Sequence, residues 1–547
     1  MIVTGSATDT TIIPGTTEMM PSGDSRTEVI IRRYAKAHKR REDWLPKWQD
    51  CYDLALPNRC GFYTAQYGES RTDKIFDSTA VHSVQNFASR VKSFTTPNFA
   101  KWSELRAGSE IPPEERDEVN EGLVEVNDYM FDTLQNGSNF DQEDHEANID
   151  LAVGTGALLC EEGTLNQLIE FRAVPLPELV LEPGPFSSID GVFWPRKIKV
   201  HQIPELWPKA TMPDKVAKDI RDAPEREITI INTTLRDRSN PLGPEKYLHD
   251  IISLEHQESI EQDTFEGPGS SPWIIFRWST SSSEVYGRGP LLNALPDIKV
   301  ANLVVELTLE NAETAITGMW QYDDDTTINP HTVQFVAGTM IPISAGSNGI
   351  RPLQPGGSFD VSQLILEDLQ NKIRLAMYDQ PLGGLEQPVR SATEITERLA
   401  EFSRQTGSPF GRIQTEKTQP IMRRMAYILK RGGRINLPEI NGREIRVHPV
   451  SPLGRAQEQQ DILNVDRCVE QIQMRFGPQM VGMMFDQEKA AKYLAERWGV
   501  PKDLIRSDLE RKQLVEEVSQ MAGQAMEEGV PPQDLAKAIG GGGGAMQ

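Results

Sequence analysis

Two glycine pairs are the first places in this sequence where chemistry could sit. Residues 283–299 read SEVYGRGPLLNALPDIK, and residues 154–159 read GTGALL. A phosphate-cradling loop of a nucleotide hydrolase is rich in glycine and ends in lysine followed by serine or threonine. The chain holds no Gly-Lys dipeptide. In GRGP, Pro290 removes a backbone N–H where a phosphate would take one. GTGALL lacks the third glycine of a dinucleotide fingerprint and does not sit in a βαβ pattern. His145-Glu146 is followed by Ala-Asn-Ile, so the zinc-protease spacing fails, and no G-x-S-x-G occurs. Asp323, Asp324 and Asp325 could hold a cation, although an acidic loop tip is the plainer reading. The cysteines, Cys51, Cys60, Cys160 and Cys468, form no C-x-x-C pair, which points away from zinc knuckles and disulfide frameworks. No catalytic residue, metal or cofactor is therefore expected. A dispersed carboxylate site of a DNA-processing enzyme is the alternative.

The charge balance narrows the partners. A net charge of -23 over 547 residues argues against a general nucleic-acid coat, because such a chain cannot neutralise phosphates over a large surface. Any DNA contact must be local or weak. The first residues lack the basic start and apolar core of a signal peptide. No apolar run approaches the ~20 residues that a membrane helix needs. The run from Ile298 to Ile316 is broken by Glu306, Glu310 and Glu313. A soluble protein without a membrane partner is expected.

The elements that would position these residues follow from periodicity. Residues 1 to about 25 are small and polar, which predicts disorder. A helix is predicted from Glu28 to Ala55, with a basic cluster of Arg32, Arg33, Lys36, Lys39, Arg40 and Arg41. That cluster reads as a solvated face or as a contact for phosphate or an acidic partner. A second helix, with Val81, Val84, Ala88, Val91 and Phe94 at helical spacing, starts at Asp77 or Ser78 and ends before Pro97. A third runs from Pro113 to Leu134. Residues 156–278 break into short alternating segments rich in branched and aromatic side chains, an antiparallel β region. A helix from Leu291 to Thr317, a Gly/Pro-rich insertion and a helix from Val361 to Met377 come next. A long helix opens at the capping box of Ser391 and Glu394, bends at Gly407-Ser408-Pro409 and stops at Gly432-Gly433. RINLP and REIRVHPV read as a strand pair, and helical segments fill 456–529.

The pair of helices around the insertion is unusual. In the first, Lys299, Asn302, Glu306, Glu310 and Glu313 recur every three or four residues, a narrow, mostly acidic stripe on an otherwise apolar helix. Such a helix is packed on most sides. Either it is buried in a monomer with one wet edge, or neighbouring copies in a ring cover its flanks and the stripe faces a lumen. Acidic walls would repel DNA rather than grip it. In the second helix Leu366, Leu369, Ile373 and Met377 share one face, and Glu367, Gln370 and Arg374 another.

The order VYGRGPLLNALPDIKVANLV, an insertion, then RSATEITERLAEFSRQTGSPFGRIQTEKTQPIMRRMAYIL resembles the portal, or head-to-tail connecting, proteins of short-tailed, podovirus-type bacteriophages. RTDKIFDSTAVHSVQNFASRVKSFTTPNFAKWSEL and VFWPRKIKVHQIPELW belong to the same resemblance. It covers residues 28–450, and Ala392, Thr393, Glu394, Ile395 and Arg398 are its most specific part. The resemblance implies an α+β portal fold. Residues 28–289 and 393–450 would be a wing, 290–316 and 360–378 a two-helix stem, and 317–359 a small α/β clip. Residues 379–392 would be a channel loop, 451–529 a helical crown, and 1–27 and 530–547 flexible ends. It further implies a ring of about twelve copies at one capsid vertex, with a passive capsid or tail-adaptor component as a second alternative beside the enzyme. Its partners would be double-stranded DNA, a separate terminase packaging motor, a tail adaptor, major capsid and scaffolding proteins, and internal core or ejection proteins. Arg390, the one cation in the 379–392 loop, is expected to approach the phosphate backbone or to pair with Glu394 or a neighbouring copy. Lys299 and Arg374 are further candidates for the lumen, beside the acidic Glu306, Glu310 and Glu313.

Overall fold

A computed structural model describes residues 25–63, 71–98, 100–112, 115–164, 167–208, 210–240, 243–317, 319–321, 351–353, 359–379, 407–437, 443–450 and 467–475. Contacts divide the chain into two units, Met1–Pro452 and Leu453–Gln547. In the second, residues 467–475 are described and are helical.

The first unit opens with α1 (Arg26–Arg41), capped by Ser25, whose hydroxyl accepts from the Glu28 N–H. The single helix expected to Ala55 is two. The chain turns at Glu42–Trp44, and α2 (Leu45–Ala55) restarts with Pro46 in its first turn. The basic cluster does not form one solvated face. Arg33 reaches Glu182 at 2.7 Å, and buried Arg41 donates to the carbonyls of Leu176 and Pro177. Next come α3 (Thr79–Thr95), β1 (Ser103–Ala107), α4 (Arg116–Asn136) and α5 (Phe140–Val153). No side-chain bond caps α3 at Ser78.

The antiparallel region forms two sheets. The order β3-β2-β9 uses Ile169–Ala173, Thr155–Glu162 and Trp273–Arg277. The order β4-β5-β6-β7-β8 uses Val180–Pro183, Ile189–Lys199, Glu227–Asp237, Lys246–Ser253 and Glu258–Glu266. Two helices interrupt it, α6 (Ile203–Leu206) and α7 (Asp214–Asp222). They cover a small core in which Val200, Ile203 and Val216 meet Ile228, Ile230 and Ile251.

Then α8 (Pro290–Thr317) and α9 (Phe359–Ala376) form a hairpin around the insertion. The ends of the insertion pair as β10 (Met319–Gln321) and β11 (Arg351–Leu353). Residues 322–350, with Asp323, Asp324 and Asp325, lie outside the described residues. So do the capping box at Ser391 and Glu394 and the residues just before Gly407. The later part of the long helix is α10 (Gly407–Ile413), a π turn at Gln414–Thr418, and α11 (Gln419–Arg431). It stops where expected, with Gly433 at φ 67°. The expected pairing of RINLP with REIRVHPV is not what forms. Residues 434–437 carry no strand, and β12 (Ile445–Pro449) pairs with β1, Leu105 against Val447. The β1 alternation of buried and half-buried residues suits a strand with one face on the core.

Candidate channel-lining hairpin

The hairpin is launched by the two glycine pairs, which meet each other rather than a phosphate. Gly287 N–H donates to Thr155 Oγ1 at 2.8 Å, Arg288 N–H to Ser279 O, and Gly289 N–H to Val153 O. All three amides of GRG are thus spent on the protein, and none faces an empty anion site. Gly154, at φ 149°, lies so close to Gly287 that a Cβ would stand 2.1 Å from its carbonyl oxygen. A Cβ on Gly289 would meet Ala152 O at 2.0 Å. Arg288 pairs with Glu284 of its own chain at 2.6 Å and lies over the Trp44 ring. Its acidic neighbour is therefore intramolecular.

From this launch the first half of α8 enters the main core through Leu291, Ala294, Leu295, Ile298 and Ala301. The polar stripe then divides. Lys299 Nζ lies 2.5 Å from Asp50 Oδ2 on α2. Asn302 accepts from the N–H groups of Phe76 and Asp77 and donates to Lys74 O. These two positions bind the helix to the segment before α3. Glu306 is half-buried, and Glu310 and Glu313 are exposed beyond it. On α9, Leu369, Ile373 and Met377 are buried and Leu366 is half-buried, on the face the spacing indicated. Gln370 donates to Asp77 Oδ1, and Arg374 is exposed in the last turn. Arg390 lies outside the described residues.

Sequence reasoning passed over Asp379, which fixes the exit from α9. Its carboxylate accepts from Ser83 Oγ and Asn86 Nδ2 of α3, both at 3.0 Å. Arg90 of the same helix donates to Tyr378 O. Ser83, Asn86 and Arg90 are spaced along one face of α3, a signal that has meaning only once its partner is known.

Apolar side chains along the hairpin lie open. On α8, Val300, Leu303, Leu307 and Leu309 are each about half exposed, Leu309 at 53%. On α9, Leu364, Ile365 and Leu375 are exposed, Leu364 at 72%. Among the described residues, no helix is long and apolar enough to cross a membrane, and no His, Cys, Asp and Glu group could hold a metal.

Residues 27–505 match the family model of the bacteriophage head to tail connecting protein. The chain belongs to that family. A probable portal protein of Bordetella phage BPP-1 is 21% identical over 524 residues, covering 87% of this chain and 88% of its own length. Two solved structures are also similar, each at 13% identity and covering 76% of this chain and 89% of theirs. They come from the virion of a native gene transfer agent particle, with a TM-score of 0.36, and the neck of an empty one, with 0.35. As a family member, the chain is a head-tail connector with an α+β fold.

Proposed function

We propose that copies of this connector form a portal ring of about twelve at one capsid vertex, a conduit for double-stranded DNA during packaging and ejection. The observation that carries the reading is the pair of open apolar flanks on the α8–α9 hairpin, beside an acidic edge of Glu306, Glu310 and Glu313. Exposed leucines in rows on a rigid hairpin call for a partner surface. A neighbouring copy supplies one at each side, and the acidic edge then faces the axis. Acidic walls keep passing DNA from adhering.

In this reading residues 28–289 and 393–450 are the wing, 290–316 and 360–378 the stem, 317–359 the clip, and 451–529 the crown. The clip docks a terminase motor during packaging and a tail adaptor afterwards. Capsid and scaffolding proteins surround the ring, and internal core proteins stack on its crown. The loop at 379–392 carries Arg390 toward the DNA backbone from the fixed point at Asp379. No step requires catalysis by this chain.

Mass measurement and axial imaging of the purified chain test the proposal. The expected result is a ring near twelve copies with a central hole wide enough for duplex DNA, ~20 Å. A stable monomer that cleaves DNA with added metal would overturn it in favour of an enzyme. Arg390→Ala should impair packaging or DNA retention with ring assembly intact. Unchanged packaging and retention would remove Arg390 from the channel.

A further inference from the structure

A cleft of about 400 Å³ lies away from the hairpin, lined by the five-stranded sheet (Val192, Tyr247), by β9 (Trp273, Ile275), and by the π turn and α11 (Glu416, Arg423). Its carboxylates are already neutralised. Arg238 holds Asp190 at 2.6 Å, Arg236 holds Glu245 at 3.1 Å, and Arg277 and Arg412 hold Glu416 at 2.6 and 3.0 Å. Arg423 is the exception. It makes no ion pair among the described residues, and its Nε is buried with no acceptor. Trp273, 6% exposed, also carries an indole N–H with no acceptor.

The backbone adds a third feature. β9 is an edge strand. On its paired side, Cys160 N–H donates to Pro272 O and Trp278 N–H to Gly154 O. Alternation along the strand then turns the N–H and C=O of Ile275 to the open edge. Buried donors without acceptors are rare and mark a missing acceptor. Arg423 therefore calls for an anionic partner. The cleft is also larger than a bare carboxylate needs, and Ile275 offers it an amide partner.

The geometry points to a binding site for an acidic amino-acid residue, its carboxylate on Arg423 and Trp273 and its main chain against Ile275. The residue comes either from free ligand or from a second copy of this chain. Only that last distinction draws on the ring reading. The binding test itself is made on the full-length chain before assembly.

The probe is N-acetylglutamate N-methylamide, with the glutamine analogue as neutral control. The readout is the Trp273 indole N–H resonance, assigned by its loss in Trp273→Phe. The glutamate probe should shift that resonance and bind at least tenfold more tightly than the control, as charge-assisted bonds to arginine imply. Arg423→Gln should weaken binding tenfold or more, and Arg423→Lys should restore part of it. Should Arg423→Gln fail to fold, Arg423→Lys and the neutral analogue still decide. Binding lost on assembly identifies the neighbouring copy as the donor, and binding kept identifies a free ligand. Equal binding of both analogues, or binding indifferent to Arg423 and Trp273, overturns the site.

Discussion

Lys417 sits in the π turn with no exposure at all. Its Nζ lies 2.6 Å from Asp144 Oδ1 and 2.9 Å from Asn148 Oδ1, under the ring of Phe276. The extra residue of a π turn lets adjacent side chains diverge. Glu416 meets Arg277, while Lys417 enters the core. Burial pushes the Lys417 pKa down, and Asp144 opposes the shift. Removing one partner of such a pair strands the other, so Lys417→Met should cost about 3–5 kcal/mol. Lys417→Met with Asp144→Leu should recover most of that. Urea unfolding of both variants checks the pair, and equal losses would mean that the charges do not act together. His249 offers a pH test. Burial pushes its pKa down to about 4, and its Nδ1 stands 3.0 Å from Thr234 Oγ1. The unfolded chain therefore takes up the proton first as pH falls. This contribution is flat above the usual histidine value near 6.5, and stability declines from there toward pH 4. The loss amounts to about 3 kcal/mol. Unfolding free energies measured between pH 4 and 7 should show this slope, and His249→Gln should flatten it.

Among the elements, the meeting of the two glycine pairs makes the sharpest contrast. Gly154→Ala places a Cβ against the Gly287 carbonyl at a φ that side chains rarely adopt. It should cost more than about 3 kcal/mol or abolish folding. Gly122→Ala, on α4 with nothing within 4 Å, should instead stabilise by about 1 kcal/mol. Melting temperatures of the two variants are the check. The buried face of α9 was legible because leucine, isoleucine and methionine recur at helical spacing, whereas α8 is apolar on most sides and its spacing did not single out the buried one. The antiparallel region was legible from alternation. By contrast, α5 was not, because FDQEDHEANIDLAV shows no apolar stripe. That helix buries polar groups along with its apolar ones. Asp144 meets Lys417, and Asp150 pairs with Arg59 and accepts from Tyr52. Partners so distant leave no local periodicity to read. REIRVHPV was legible as a strand, but its pairing was not, because its partner β1 lies far along the chain. The stripe from Lys299 to Glu313 was visible as spacing, but the tethering of Lys299 and Asn302 depends on Asp50 and the residues around Asp77.

For the whole molecule, the rows of exposed leucine bear on assembly. Leu303→Glu with Leu307→Glu changes two side chains that are about half exposed, at 51% and 48%, so the isolated subunit should melt as before. In a ring the substitution recurs at each interface, where it buries charge without a partner. Sedimentation should show subunits in place of rings, and rings formed at normal yield would show that these leucines face solvent in the assembly. The junction of the glycine pairs bears on the order in which such subunits become competent to assemble. Gly287 must reach Thr155 across 132 residues of chain. At elongation rates of about 5–20 residues per second that separation is roughly seven to twenty-six seconds of synthesis. The ribosome therefore finishes both sheets before the hairpin can be seated, and the sticky rows emerge after them. Arrested nascent chains that stop before Tyr286 should stay open to protease around Gly154, and chains extended past Thr317 should close there.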